Sequence, residues 1–174
     1  MSKSYKELLP GISTFIFDVD GVLTDGKVHI SPDGQLLRSL SVKDGYALQY
    51  AVKKQFNIAI ITGSNSIPVQ DRLQSLGVRH IFLESKMKLP VLEKFLEKYN
   101  LNPNEVLYMG DDIPDYEVME RCGVAVCPAD ASEEIKRISD YVSNKKGGEG
   151  CVRDIIEQTL KVQDKWFDHD ALEW

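Results

Sequence analysis

The chain has 174 residues, which suits one domain with a real core and leaves little room for a second. With 43% hydrophobic and 28% charged residues it is an ordinary globular composition, not a fibrous or disordered one. The net charge of -6 argues against nucleic-acid or anionic-membrane partners, because both need a basic surface.

In chain order, Thr14-Phe15-Ile16-Phe17 is the first short apolar run rich in strand formers. Val28-His29-Ile30, the turn Ser31-Pro32-Asp33-Gly34 and Leu36 to Leu40 read as a β-hairpin. It follows the first strand directly, where a helix would be expected. Tyr46, Leu48, Ala51 and Val52 then mark a helix before the strand Ile58 to Ile61. Val69, Leu73 and Leu76 lie at helical spacing, and Gly77 stops that helix. His80 to Leu83 is the third strand of the main sheet. Leu89, Leu92, Phe95 and Leu96 mark a helix that ends near Asn100. The strands Val106 to Met109 and Val124 to Val126 enclose a short helix with Val118 and Met119. Ile135 and Ile138 mark a fifth helix, and Val152, Ile155, Ile156 and Leu160 a sixth.

Strands apolar on both faces, alternating with helices, predict an α/β fold with a doubly wound, mainly parallel sheet. Residues 1–174 are expected to form a single domain with the hairpin as an insertion. Lys145 to Gly150 reads as a flexible glycine-rich loop. Cys122, Cys127 and Cys151 are odd in number and lack metal-type spacing, so they read as small buried hydrophobes. No run reaches membrane-span length and Met1 to Glu7 lacks a signal-peptide core, so a cytoplasmic protein is expected.

Ligands in open α/β sheets gather at the carboxyl ends of the strands. The first strand ends in Asp18-Val19-Asp20-Gly21, the second in Thr62-Gly63-Ser64, and the fourth in Gly110-Asp111-Asp112 with Asp115 following. Residues i and i+2 of an extended chain point to one side, so Asp18 and Asp20 can reach one pocket. Such charges repel unless a cation compensates them, and oxygen-only ligands suit a hard ion, Mg²⁺. Turn and capping roles explain Asp18 and Asp20 as well, and Thr62 as an ordinary helix N-cap. Lys86 and Lys88 both follow the third strand, and position alone does not choose between them as the cation for a phosphate.

These motifs resemble the haloacid dehalogenase superfamily. Asp18-Val19-Asp20-Gly21-Val22 resembles its first motif, Ile60-Ile61-Thr62-Gly63 its second, and Gly110-Asp111-Asp112-Ile113-Pro114-Asp115 its fourth. The stretch from Asp18 to Gly26 is similar to the small phosphatases acting on 3-deoxy-D-manno-octulosonate 8-phosphate. So are Lys43-Asp44-Gly45-Tyr46, Met87-Lys88-Leu89 and Gly147 to Arg153.

The resemblance implies that Asp18 is the nucleophile and Asp20 the general acid–base. It implies that Thr62, Gly63 and Lys88 bind phosphate, with Lys88 rather than Lys86 as the third-motif lysine. Mg²⁺ would be held by Asp18, Asp111 and the backbone carbonyl of Asp20. Asp112 and Asp115 would be outer ligands or orienters of Lys88, with a helix-start role equally open for Asp115. Lys43, Asp44, Gly45 and Arg153 are candidates for the sugar acid itself. Several relatives carry Arg after the Thr-Gly pair, and those acting on a nine-carbon sugar acid 9-phosphate carry Glu. Ser64 stands there in this chain, which favours the eight-carbon substrate over the nine-carbon one without settling it.

The gaps between the motifs leave no room for a large cap domain. The resemblance implies a homotetramer instead, whose hairpins pack together and whose neighbours help close each site. Val28, Ile30 and Leu36 fit that, or packing on their own domain. The tail from Trp166 to Trp174 is expected to dock on its own or a neighbouring subunit, close to the site. Two other classes stay open: a receiver-like domain, and a non-catalytic domain on the same scaffold.

Overall fold

The apolar runs form strands because both faces of the sheet are covered. The computed structural model describes residues 4–173; residues 1–3 and Trp174 of the tail lie outside them. The chain runs α1 (Tyr5–Leu8), β1 (Thr14–Phe17), β2 (His29–Ile30), β3 (Leu36–Leu37), α2 (Val42–Lys53), β4 (Asn57–Ile61), α3 (Ile67–Ser75) and β5 (His80–Phe82). It continues through α4 (Lys88–Tyr99), β6 (Val106–Met109), α5 (Tyr116–Arg121), β7 (Val124–Cys127), α6 (Glu133–Ile138), β8 (Tyr141–Val142) and α7 (Cys151–Val162).

Six strands make one parallel sheet in the order β5-β4-β1-β6-β7-β8. Phe15 and Phe17 of β1 face α2, α3 and α7, while Ile16 faces α4, α5 and α6. The same two-residue alternation divides Ile58 and Ile60 from Ala59 and Ile61 in β4. Both layers are buried apolar cores, so each strand is apolar throughout. The chain winds outward through β4 and β5 on one side of β1, then outward through β6, β7 and β8 on the other. That reversal sets a crevice at the carboxyl ends of β1, β4 and β6.

The doubly wound sheet and the absence of a large cap agree with the expectation. The differences are local. β8 and α1 have too few residues to show a period. A turn intervenes between β1 and the hairpin, in which Val19 O accepts from the N–H groups of Val22, Leu23 and Thr24. The hairpin ladder joins only His29 to Leu37 and Ile30 to Leu36. Val28, Ile30, Leu36 and Leu37 are exposed, Ile30 by 76%, so they do not pack on their own domain.

The glycine-rich loop is not free. Gly147 N donates to Asp130 Oδ1 at 3.0 Å and Gly148 N to Val22 O at 2.9 Å. The tail docks on its own subunit against α2. Tyr50 OH donates to Asp168 Oδ1 at 2.8 Å, Lys54 Nζ to Asp170 Oδ2 at 2.6 Å, and Trp166 meets Tyr50 edge-on. Cys127 and Cys151 are buried, Cys122 is half-buried, and none is in a disulfide. Among the described residues no helix is long and apolar enough to cross a membrane.

Candidate active site

The crevice is an open cleft of about 500 Å³ at the end of β1, β4 and β6. Asp18, Asp20, Thr62, Gly63, Lys88, Asp111, Asp112 and Asp115 all line it. Four separate stretches of sequence therefore meet at the carboxyl ends of the strands.

Asp18 follows β1 directly, and its N–H donates to Met109 O of β6 at 3.1 Å. Its Oδ1 accepts from Val19 N at 2.6 Å and its Oδ2 lies 2.8 Å from Lys88 Nζ. Lys88 is the first residue of α4 and is buried, whereas Lys86 lines the same cleft but is exposed. Burial thus separates the two lysines where position did not. Lys88 Nζ also donates to Asp115 Oδ1 at 2.7 Å. Burial works against the ammonium, but Asp18 and Asp115 outweigh it and raise its pKa.

Asp115 is 1% exposed and fully engaged. Besides Lys88 it accepts from Tyr108 OH at 2.7 Å and from Asp111 N at 3.2 Å. It orients Lys88 and tethers the turn bearing Asp111. Asp112 is exposed at the rim and caps the short turn after β6, its Oδ1 accepting from Ile113 N at 2.8 Å.

Carboxylate oxygens of Asp18, Asp111 and Asp115 lie within 4.8 Å of one another. Burial, then repulsion from Asp115, pushes Asp18 up to about 7, with Lys88 opposing the rise. Burial, then Asp18 and Asp115, pushes Asp111 up to about 7 as well. One ammonium does not offset three carboxylates, so the cluster carries unmet negative charge. An all-oxygen set of this kind fits a hard divalent cation. Gly21 fits the same picture. Its φ is +85° and a Cβ there would stand 1.9 Å from Asp111 Oδ2, so only glycine leaves Asp111 its place.

Thr62 is 2% exposed and its Oγ1 accepts from Ser64 N at 3.2 Å. It is not the N-cap of α3, a position held by Ser66. Gly63 and Ser64 continue the cleft floor.

Asp20 has a partner that the sequence does not announce. Its carboxylate is turned to Arg38, whose Nε donates to Oδ1 at 2.6 Å and Nη2 to Oδ2 at 3.0 Å. A metal contact from Asp20 therefore rests on its backbone carbonyl.

The four candidate sugar contacts are not brought into this cleft. Asp44 is 1% exposed, and its Oδ1 accepts from Arg153 N at 2.7 Å in the first turn of α7. Gly45 is buried where α2 packs against Leu76 and Arg72. Lys43 is exposed on the first turn of α2, outside the residues that line the cleft. The Arg153 guanidinium lies over the rings of Tyr46 and Trp166 and donates to Glu157. Asp44 holds the start of α7, and the loop before that helix buttresses the turn after Asp18: a Cβ on Gly147 would stand 2.0 Å from Gly21 O.

Arg38 and Tyr108 were not evident as site residues. Each carries a trace in the sequence: Arg38 interrupts the apolar run from Leu36 to Leu40, and Tyr108 brings a hydroxyl into a strand just before Gly110-Asp111.

A haloacid dehalogenase-like hydrolase family model matches residues 80–155. The chain is 38% identical over 154 residues to the 3-deoxy-D-manno-octulosonate 8-phosphate phosphatase of Escherichia coli K12, covering 88% of this chain and 82% of that one. The crystal structure of the Yersinia pestis phosphatase of the same name superposes with a TM-score of 0.91 at 33% identity, covering 95% of this chain and 89% of the other. The Moraxella catarrhalis enzyme, solved with magnesium, phosphate and the sugar acid, superposes with a TM-score of 0.90 at 32% identity over 96% and 94% of the two chains. The chain belongs to the haloacid dehalogenase-like hydrolases, in the family of these 3-deoxy-D-manno-octulosonate 8-phosphate phosphatases.

Proposed function

We propose that this chain is a Mg²⁺-dependent phosphatase that releases phosphate from 3-deoxy-D-manno-octulosonate 8-phosphate, a step in lipopolysaccharide sugar biosynthesis. The observation that carries the reading is the buried triad Asp18–Lys88–Asp115 beside Asp111, at one end of the sheet in a chain with these relatives. A receiver-like or non-catalytic domain does not account for that combination.

Asp18 is the nucleophile. An oxygen of its carboxylate attacks phosphorus, the bond from phosphorus to the sugar oxygen breaks, and that oxygen takes a proton from Asp20. Water then attacks the aspartyl phosphate and gives its proton to Asp20. The bond from phosphorus to Asp18 breaks, restoring the carboxylate and freeing inorganic phosphate. Lys88 neutralises phosphate charge throughout, held in place by Asp115. Thr62 and the backbone N–H groups beside Gly63 serve the phosphate oxygens. Asp18, Asp111 and the Asp20 carbonyl would hold Mg²⁺, which when bound supplies positive charge between the anionic nucleophile and the anionic substrate.

The eight-carbon choice is supported by Ser64 on the cleft wall, which presents a hydroxyl where a carboxylate would favour the nine-carbon compound. The test is phosphate release from both sugar phosphates under matched conditions. A higher kcat/KM on the eight-carbon compound supports the reading; preference for the nine-carbon one overturns the substrate assignment.

The assembly in this proposal is a homotetramer. A two-stranded hairpin is marginal alone, and this one exposes Val28, Ile30, Leu36 and Leu37. An apolar groove of about 380 Å³ runs from Leu36 and Leu37 to Ile67 and Val69. Packing hairpins from neighbouring copies would cover this surface beside an open cleft. Free cysteines suit a reducing compartment, and the proposal places the enzyme in the cytoplasm.

A further inference from the structure

The chemistry above uses Lys88 and leaves a second, half-buried cation without a task. Arg38 follows β3 on the hairpin, and its side chain is only 7% exposed. Its fork meets both oxygens of Asp20, at 2.6 and 3.0 Å, while Nη1 donates to Leu36 O at 3.4 Å. A two-point guanidinium contact fixes the plane of a carboxylate as well as its position. Asp20 needs that, because the turn carrying it leaves its side chain 37% exposed at the cleft. A freely rotating carboxylate would face the reacting oxygen only part of the time, and misplacement of about 1 Å costs on the order of 10²-fold in rate.

We infer that Arg38 is the positioning residue of Asp20, aiming the carboxyl that delivers the proton to the departing sugar oxygen. This rests on the phosphatase reading. A protonated carboxyl has one O–H donor and one oxygen left to accept. The loaded Asp20 therefore keeps one contact to Arg38 and turns its O–H to the sugar oxygen. When the phosphorus–oxygen bond breaks, the electron pair stays on the sugar oxygen and the proton moves to it from Asp20. The resulting carboxylate recovers both contacts. In the second half-reaction Asp20 takes the proton of the attacking water and gives up one contact again. Arg38 touches neither phosphorus nor the leaving group; it acts through Asp20.

The test exploits leaving groups. An alkyl oxygen departs poorly without a proton, whereas p-nitrophenolate departs without one. Because kcat/KM reports events up to loss of the leaving group, it isolates the step in question. Arg38→Ala is expected to lower kcat/KM on the sugar phosphate by roughly 10²-fold, the scale of a lost general acid. On p-nitrophenyl phosphate the loss should stay under about tenfold by the same reasoning. Arg38→Lys, with one contact in place of two, should fall between wild type and Arg38→Ala on the sugar phosphate. In an Asp20→Asn background, adding Arg38→Ala should cost almost nothing more.

Equal losses on both esters, or full additivity with Asp20→Asn, overturn the inference. If Arg38→Ala does not fold, the ester ratio measured on Arg38→Lys decides in the same way. Wild-type failure on the sugar phosphate would instead overturn the substrate assignment. The ratio is then taken between p-nitrophenyl phosphate and an alkyl phosphate that the wild type does cleave.

Discussion

Lys88 Nζ lies 2.8 Å from Asp18 Oδ2 and 2.7 Å from Asp115 Oδ1, with all three side chains almost wholly withdrawn from water. One ammonium thus serves two buried carboxylates, and removing it leaves both without a counter-charge, though each keeps a hydrogen-bond donor.

Lys88→Met keeps the side-chain length and removes the charge. Breaking a buried pair by deleting one partner costs about 3–5 kcal/mol, and losing a charge stabiliser lowers kcat by about 10²-fold or more. Urea unfolding and steady-state turnover check the two effects separately. A variant with wild-type stability and turnover would show that Lys88 is a bystander.

The acidic cluster links stability to pH and metal. Without metal, burial and neighbouring carboxylates push Asp18 and Asp111 up to about 7 in the fold, against about 3.9 in an unfolded chain. Their folded pKa values are raised, so their contribution is fully present below about pH 4 and is lost as pH rises through about 7. A bound divalent cation does the work of those protons. Calorimetry with and without chelator should therefore show a larger gain in Tm from Mg²⁺ near pH 8 than near pH 5. Equal gains would contradict the cation site, and full activity after exhaustive chelation would refute the metal requirement.

Gly147 supports the turn bearing Asp20 from outside the cleft. Gly147→Ala would drive a methyl into Gly21 O, and overpacking of this kind costs about 1–3 kcal/mol. Because Gly21 adjoins Asp20 and faces Asp111, turnover should fall along with Tm. Normal kcat in a destabilised variant would mean that the turn does not transmit the shift.

The proposed tetramer is open to a direct check. Ile30→Asp with Leu36→Asp places charges on the exposed apolar hairpin and should convert tetramers to smaller species in light scattering. An unchanged molar mass would remove the hairpin from the interface.

Much of this site was legible because strand-end residues follow from the alternation of strands and helices. Asp18, Thr62 and Asp111 fall on one edge from the sequence alone. What stayed hidden depends on contacts far apart in sequence. Asp44 caps α7 through Arg153, 109 positions away, so a resemblance that marked both as sugar contacts could not reveal that they meet each other. Arg38 reaches Asp20 only because a short hairpin folds back over the turn. β8 pairs two residues with β7 and has no period to read.

In the proposed reaction Asp18 carries the phosphoryl group. Its most direct test is rapid quench of a single turnover with the sugar phosphate, borohydride reduction of the acyl phosphate, and peptide mass spectrometry. Homoserine is expected at position 18, with Asp20 and Asp111 unmodified. Homoserine at another aspartate, or undiminished turnover by Asp18→Asn, would contradict it.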